Sequence, residues 1–184
     1  MSPSFDDPYF HSIRRWVLPS GPREGRDPVG VTRAYIAIRS RVFAASPADL
    51  GLTPTERLPR VWAILVDLPS ERVTLVCVAD GTTSLYAAGG GVIIGDGTVV
   101  ALTDAAARLL DTAERVLGGL PVGTSIGLPA RGSAAFTVFT YDGMLRVEVA
   151  ESEALGPAVG AVGDLYAATR AVVTELRLAN ETGR

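Results

Sequence analysis

Residues 61–88 read VWAILVDLPSERVTLVCVADGTTSLYAA, and this stretch decides the fold. It contains two runs rich in β-branched and apolar residues, Val61–Val66 and Val73–Ala79, which are typical of buried strands. A third run, Thr82–Ala88, follows directly after Asp80-Gly81. An Asp-Gly pair between strand-like runs favours a tight hairpin because both residues accept positive φ angles. The stretch therefore predicts neighbouring antiparallel strands.

The same turn signal recurs later in the chain. Two further Asp-Gly pairs separate strand-like runs: Asp142-Gly143 lies between Ala134–Tyr141 and Met144–Glu151, and Asp96-Gly97 lies between Val92–Ile94 and Thr98–Leu102. Leu145, Val147 and Val149 alternate with Arg146 and Glu148, which predicts a strand with one buried face and one solvent-facing side. Repeated hairpins indicate a largely antiparallel sheet.

Three segments carry apolar residues at helical spacing. The first is Val31–Ala45, in which Arg39 takes a position outside the apolar stripe. The second follows Thr103, a predicted N-cap, and stops at Gly118-Gly119. The third has the longest regular seam, from Val162 to Leu176. These segments predict helices that cover the sheet.

The element order predicts one α+β domain, with helices packed on a mostly antiparallel sheet of five to six strands. We expect a helix, three strands, a helix, two or three strands and a helix, with Val122–Ile126 as the additional strand. The domain spans residues 31–180. A leader rich in proline and glycine precedes it at residues 1–30, and a tail follows at residues 181–184.

The composition removes most catalytic side chains. All 17 basic residues are arginine, and the chain holds one histidine, His11, and one cysteine, Cys77. A lysine Schiff base, a phosphate-loop lysine and a Cys/His metal cluster are therefore excluded. Cys77 lies in an apolar run, which indicates an inert core thiol. We expect no catalytic residue, no metal and no cofactor.

Charge and hydropathy bound the location and the partners. The net charge is −3 with both signs spread along the chain, so no basic face for nucleic acid is expected. The longest nearly continuous apolar stretch, Leu85–Gly95, is shorter than the roughly 20 residues of a membrane-spanning helix. Acidic residues near the start and a single cysteine favour the cytoplasm.

The glycine-rich segment Gly89–Gly97 is the main candidate for ligand binding. Glycines let backbone N–H groups approach an anion, but no lysine ends the segment, and its glycine spacing does not fit a dinucleotide fingerprint. The alternative is a bulge, a sheet kink or a close subunit approach. Ser84 and Tyr86, two polar residues of the preceding strand, are predicted to share one strand face beside the glycines. The candidate ligand-binding residues are therefore Ser84, Tyr86, Gly89, Gly90, Gly91, Gly95 and Asp96.

Two apolar features are candidates for a protein interface. The aromatic cluster of the leader either packs on its own domain or docks on a partner or a second subunit. The seam of the last helix is either buried by the sheet or forms an isologous dimer. The candidate interface residues are Tyr9, Phe10, Trp16, Leu165, Val172 and Leu176.

The element order over residues 31–179 resembles that of the roadblock/longin-like group of small domains. This resemblance implies a non-catalytic module that dimerises and often serves as a scaffold or regulator for small GTPases. Roadblock domains place two strands before the middle helix and three after it, so profilin-like and PAS-like sheets stay open. The stretches Asp80–Tyr86 and Gly89–Gly95 also resemble a set of small bacterial proteins, which implies no activity.

We therefore expect a non-catalytic protein-interaction module, a homodimeric scaffold or regulatory subunit in the cytoplasm. Its partner would be a second copy or another protein, such as a small GTPase or an operon-encoded protein. The alternative is a small-molecule sensor or carrier domain with its site near Gly89–Gly97. A third hypothesis is an enzyme of unfamiliar type that uses carboxylates and backbone amides.

Overall fold

The computed structural model describes residues 33–68, 72–89, 91–95, 97–120, 125–154 and 160–182. Six strands form one sheet, and every neighbouring pair in it is antiparallel. The strands are β1 (Val61–Leu68), β2 (Val73–Val78), β3 (Thr83–Ala87), β4 (Val92–Gly95), β5 (Ser133–Thr140) and β6 (Gly143–Ala150). Their order across the sheet is β4-β3-β2-β1-β5-β6. The predicted α+β class with an antiparallel sheet is confirmed.

Helices precede, interrupt and follow the strands. They are α1 (Arg33–Ala44), α2 (Val100–Val116), α3 (Glu151–Ala154) and α4 (Gly160–Thr182). Two short 3-10 turns lie at Ala48–Leu50 and Leu117–Gly119. The first of these ends at Gly51, whose φ of 68° is a conformation that glycine adopts without strain.

α2 and α4 cover one face of the sheet and build the larger core. Leu109 of α2 and Leu165 of α4 are fully buried, and they pack in one cluster with Ile64 of β1 and Phe136 of β5. The seam predicted for the last helix is therefore an internal seam. Burial of these side chains is the main stabilising contribution on this side, at roughly 1.5–3 kcal/mol for each large apolar side chain.

α1 lies on the opposite face, where a smaller cluster forms. Tyr35 and Ile38 of α1 are buried with Trp62 of β1 and Phe139 of β5. The Trp62 and Phe139 rings lie 5.3 Å apart, and the Trp62 Nε1–H donates to the carbonyl of Thr140 at 3.1 Å. The sheet is thus buried on both faces near its centre.

Two of the predicted Asp-Gly hairpins are confirmed, with one difference in the turns. Gly81 has φ of 93° and Gly143 has φ of 146°, whereas the aspartate before each of them does not have a positive φ. Asp80 instead accepts a hydrogen bond from the Thr82 N–H at 2.8 Å through its side chain. Each turn therefore needs positive φ at the glycine alone.

The prediction of a strand at Thr98–Leu102 is wrong, because α2 begins at Val100. The predicted N-cap, Thr103, lies inside this helix, and its hydroxyl bonds to the Val99 carbonyl at 3.2 Å. Helical geometry places Leu102 against Gly95, where it is 2% exposed. This packing favours the helix over the strand preference of the β-branched residues at 98–100.

The strand count differs from the expected order as a result. Among the described residues, four strands precede α2 and two follow it, instead of three before and two or three after. This order also differs from the two and three strands of roadblock domains. Of the predicted strand Val122–Ile126, residues 121–124 lie outside the described part, and residues 125–126 are not in a strand.

In the described ranges, no helix has both the length and the apolar character that a membrane crossing requires.

Candidate functional site at the open sheet edge

A buried charge network links α1 to the centre of the sheet. Asp67 of β1 is 1% exposed and accepts two hydrogen bonds from Arg39, at 3.2 and 2.7 Å. The Thr74 hydroxyl donates to the same carboxylate at 2.7 Å. Arg146 Nη1 lies 3.6 Å from Asp67 Oδ2. One carboxylate therefore lies between two guanidinium groups away from solvent.

The guanidinium groups of both arginines also donate hydrogen bonds to backbone carbonyls of the segment 125–127. Arg39 donates to the carbonyls of Ile126 and Gly127, and Arg146 donates to the Gly127 carbonyl at 2.9 Å. Burial lowers the pKa of Arg146, while Asp67 acts to raise it. Among the described residues, every fully buried side-chain polar atom has a hydrogen-bond partner. The network therefore stabilises the fold, and its fully buried polar atoms are already engaged within the domain.

The sequence prediction was wrong about both arginines. Arg39 is 8% exposed and Arg146 is 5% exposed, although both were expected to face solvent. The signal for a buried partner was Asp67, an acid inside the apolar run of β1, because buried charges are nearly always paired. The alternation in β6 predicted that Arg146 and Glu148 share a face. It did not predict that the segment 125–130 covers that face.

The structure brings Ser84 and Tyr86 together but does not open them to a ligand. Both are buried on one face of β3, and the Ser84 hydroxyl bonds to the Tyr86 hydroxyl at 2.8 Å. Burial raises the pKa of Tyr86, while the bond from Ser84 acts to lower it. Gly89 and Gly91 are exposed, and Gly90 and Asp96 lie outside the described residues.

Gly95 has a packing role. A Cβ atom at this position would lie 2.4 Å from Leu102 Cδ2, which is closer than real Cβ atoms approach. Glycine at this position lets β4 approach α2 without displacing the Leu102 side chain. This observation supports the interpretation of the glycine segment as structural, at this position.

β4 is an edge strand, and no described strand pairs with its outer side. The Ala87 N–H bonds to the Gly91 carbonyl at 2.8 Å, and the register continues with Leu85 opposite Ile93. Hydrogen-bonded and non-hydrogen-bonded pairs alternate in an antiparallel ladder, so Val92 and Ile94 occupy the non-hydrogen-bonded positions. Their N–H and C=O groups therefore point away from β3. The strand contains no charged residue and no proline.

The opposite edge strand, β6, differs from β4 in charge and in cover. It carries Arg146 and Glu148, and Glu148 accepts a hydrogen bond from the Ala130 N–H at 2.7 Å. Charged side chains and covering loops are the usual protection of a sheet edge against pairing. In the part of the chain that the structure describes, β4 carries no charged side chain and no loop bonded to its outer side, which makes it the stronger candidate for an interaction edge.

The other candidate residues are distributed as follows. Leu165, Val172 and Leu176 are fully buried inside the domain, so their placement among the interface residues is corrected: they are not available to a partner. Cys77 is buried, and burial raises the pKa of its thiol to about 12. Four residues named from the sequence lie outside the described part of the chain: Tyr9, Phe10, His11 and Trp16.

The described ranges contain no group of three or more His, Cys, Asp or Glu side chains placed to hold a metal ion. The chain matches none of the protein-family models, curated proteins or solved structures with which it was compared. The resemblance to the roadblock/longin-like group therefore stays a prediction.

Proposed function

We propose that the chain is a non-catalytic protein-interaction module that forms a homodimer through β4. In this dimer two β4 edges pair antiparallel and join the two sheets into one. The observation that carries the proposal is the open edge itself, where the backbone groups of Val92 and Ile94 face outward from an uncharged strand. Addition of a strand to such an edge is a common mode of protein recognition.

The geometry of β4 defines how two copies would pair. With the two-fold axis at Ile93, Val92 of one copy lies opposite Ile94 of the second copy, and the reverse pair forms on the other side of the axis. Each pair exchanges N–H···O bonds in both directions. Each backbone hydrogen bond contributes about 0.5–1.5 kcal/mol net.

The edge alone gives a weak dimer. Association costs at least about 4 kcal/mol in lost translational and rotational freedom, so apolar contact must add to the hydrogen bonds. Val100, 71% exposed at the start of α2, follows β4 closely in the chain and offers such a contact. We therefore expect a dissociation constant in the micromolar range and a dimer that exchanges readily, as suits a scaffold or regulatory subunit.

The absence of catalysis belongs to the same proposal. Cys77 is enclosed in the core, and the carboxylate of Asp67 is occupied by Arg39 and Thr74. A nucleophile needs an exposed setting and an adjacent base, and neither group has this setting. These positions support a domain that acts through contact.

Sedimentation velocity over a range of protein concentrations tests the dimer. Ile94→Pro removes an outward-facing N–H without removing a bond to β3, so the variant is expected to keep its fold and sediment as a monomer. Ile94→Lys introduces a charge that opposes edge pairing and should have the same effect. The matched control is Ile36→Lys, because Ile36 on α1 is 37% exposed and Ile94 is 39% exposed.

A wild-type chain that stays monomeric at tens of micromolar and above would contradict the proposal. The same conclusion would follow if Ile36→Lys and Ile94→Lys lowered the dimer fraction equally, because the effect would then not be specific to β4. Far-UV circular dichroism of each variant confirms that its fold is retained.

A further inference from the structure

The face of the sheet that carries α1 is covered unevenly. The first turn of α1 lies over β2, where the Tyr35 hydroxyl bonds to the Thr74 hydroxyl. The last turn lies over β5, where the Phe43 ring packs 5.6 Å from the Phe139 ring. The helix therefore runs across the sheet away from β4, and its N-terminal end is the end nearer to β4.

The β6 side of this face has its own cover. Gly127 accepts hydrogen bonds from Arg39 and Arg146, and the Ala130 N–H donates to Glu148. The segment 125–130 is thus bound over β6 beside α1. This segment completes the layer on one side of the helix.

The β4 side of the same face leaves apolar side chains in solvent. Val92 and Ile94 point to this face, because they lie opposite Tyr86 and Ser84 in the register of β3 and β4. They are 37% and 39% exposed, and they are the exposed large apolar side chains of the described sheet. We call these two side chains the β4 patch. The β4 patch borders the buried cluster at Tyr86, so an apolar segment bound there would extend this cluster.

The part of the chain before α1 fits this surface in position, length and composition. It ends at residue 32, directly before the end of α1 that is nearer to β4. Residues 19–32 can extend up to roughly 45 Å, whereas β4 lies only about 10 Å from β2 across two strand spacings. Before them, residues 9–18 include six apolar side chains: Tyr9, Phe10, Ile13, Trp16, Val17 and Leu18.

We propose that residues 9–18 bind the β4 patch of the same chain and complete the layer on the α1 face. The segment 125–130 then covers one side of α1, and the leader covers the other. This inference goes beyond the proposed dimer, because the leader covers the face of β4 and the second copy uses its backbone edge.

Thiol labelling in the full-length chain tests the inference. Ile94→Cys places a reporter in the β4 patch, and Cys77 stays silent because it is buried and its pKa is raised to about 12. In this background, Phe10→Ser with Trp16→Ser should raise the maleimide labelling rate at position 94 roughly tenfold, which corresponds to about 1.4 kcal/mol of lost docking. An unchanged rate would overturn the proposal.

A second reporter and a concentration series separate this result from other causes. Leu178→Cys, at a 49% exposed position on α4, should label at the same rate with and without the leader substitutions. Labelling is measured at protein concentrations well below the micromolar dissociation constant of the proposed dimer, because pairing of two β4 edges would itself cover position 94. Protection that stays constant over this range supports binding within one chain, whereas protection that disappears on dilution would contradict the proposal. Failure of the dimer leaves the labelling test unaffected.

Discussion

At the scale of single residues, Asp67 is the side chain on which the α1 face most depends. Asp67→Asn keeps the shape of the side chain but removes the charge between Arg39 and Arg146. Loss of one partner of a buried ion pair leaves uncompensated charge, so we expect the free energy of unfolding to fall by about 3–5 kcal/mol. Urea unfolding monitored by far-UV circular dichroism measures this change.

The control for Asp67→Asn is the exposed pair between Arg57 and Asp111. These side chains are 53% and 46% exposed and lie 2.7 Å apart. Asp111→Asn should cost at most about 1 kcal/mol, because water screens the interaction. If both substitutions cost the same, burial does not set the strength of the Asp67 network.

Sequence alone predicted part of this residue-scale picture. Ser84 and Tyr86 were placed on one face correctly, since strand alternation fixes the face directly. Arg39 and Arg146 were predicted to face solvent, because the helical and strand periods show only on which side of its element a side chain lies. Whether a long side chain on the predicted outer side is covered depends on segments distant in sequence, here 125–130.

At the scale of elements, the start of β1 is fixed to α2 by one carboxylate. Glu114 accepts hydrogen bonds from the backbone N–H groups of Arg60 at 3.1 Å and Val61 at 2.8 Å, and it pairs with the Arg60 guanidinium. Burial acts to raise the pKa of Glu114, but these interactions outweigh burial and place the pKa below its usual value of 4.5.

This lowered pKa gives a pH-dependent contribution to stability. A carboxyl with a depressed pKa adds stability that is fully present above its unfolded pKa and is lost as the pH falls through the folded pKa. Glu114→Gln should therefore reduce the unfolding free energy at neutral pH by about 1–3 kcal/mol. The difference from wild type should shrink below pH 4.5.

Urea unfolding at several pH values between neutral and about pH 3 measures this difference. Arg60→Gln provides a comparison, because it removes the guanidinium but keeps the backbone donors. It should weaken the pH dependence without abolishing it. A gap between wild type and Glu114→Gln that stays constant with pH would show that the Glu114 charge does not link α2 to β1.

The element boundaries show where sequence patterns suffice and where packing decides. The strands of residues 61–88 and the last helix were predicted closely, because alternation, turn glycines and the helical seam all agree there. The start of α2 was predicted wrongly, because the β-branched composition of Thr98–Leu102 favours a strand while the spacing of its apolar residues also fits a helix. The close approach of Leu102 to Gly95 favours the helix. A local sequence pattern does not reveal this contact, because it arises only when α2 packs against β4.

At the scale of the whole molecule, dimerisation through β4 links stability to protein concentration. A homodimer that unfolds to separate chains becomes more stable as the concentration rises, because mass action favours the associated state. For a domain of this size we expect the thermal midpoint to rise by about 2 °C for each tenfold increase in concentration above the dissociation constant. Differential scanning calorimetry over two decades of concentration measures this slope.

Two variants show which surface causes the thermal midpoint to rise with protein concentration. Ile94→Pro should flatten this slope, because the paired edge is lost while the two core clusters on either side of the sheet remain. Ile36→Lys should preserve it, since α1 lies on the sheet face and takes no part in edge pairing. A slope that persists in Ile94→Pro would mean that the chains associate through another surface. A midpoint independent of concentration in the wild-type chain would leave no role for β4 as a dimer edge.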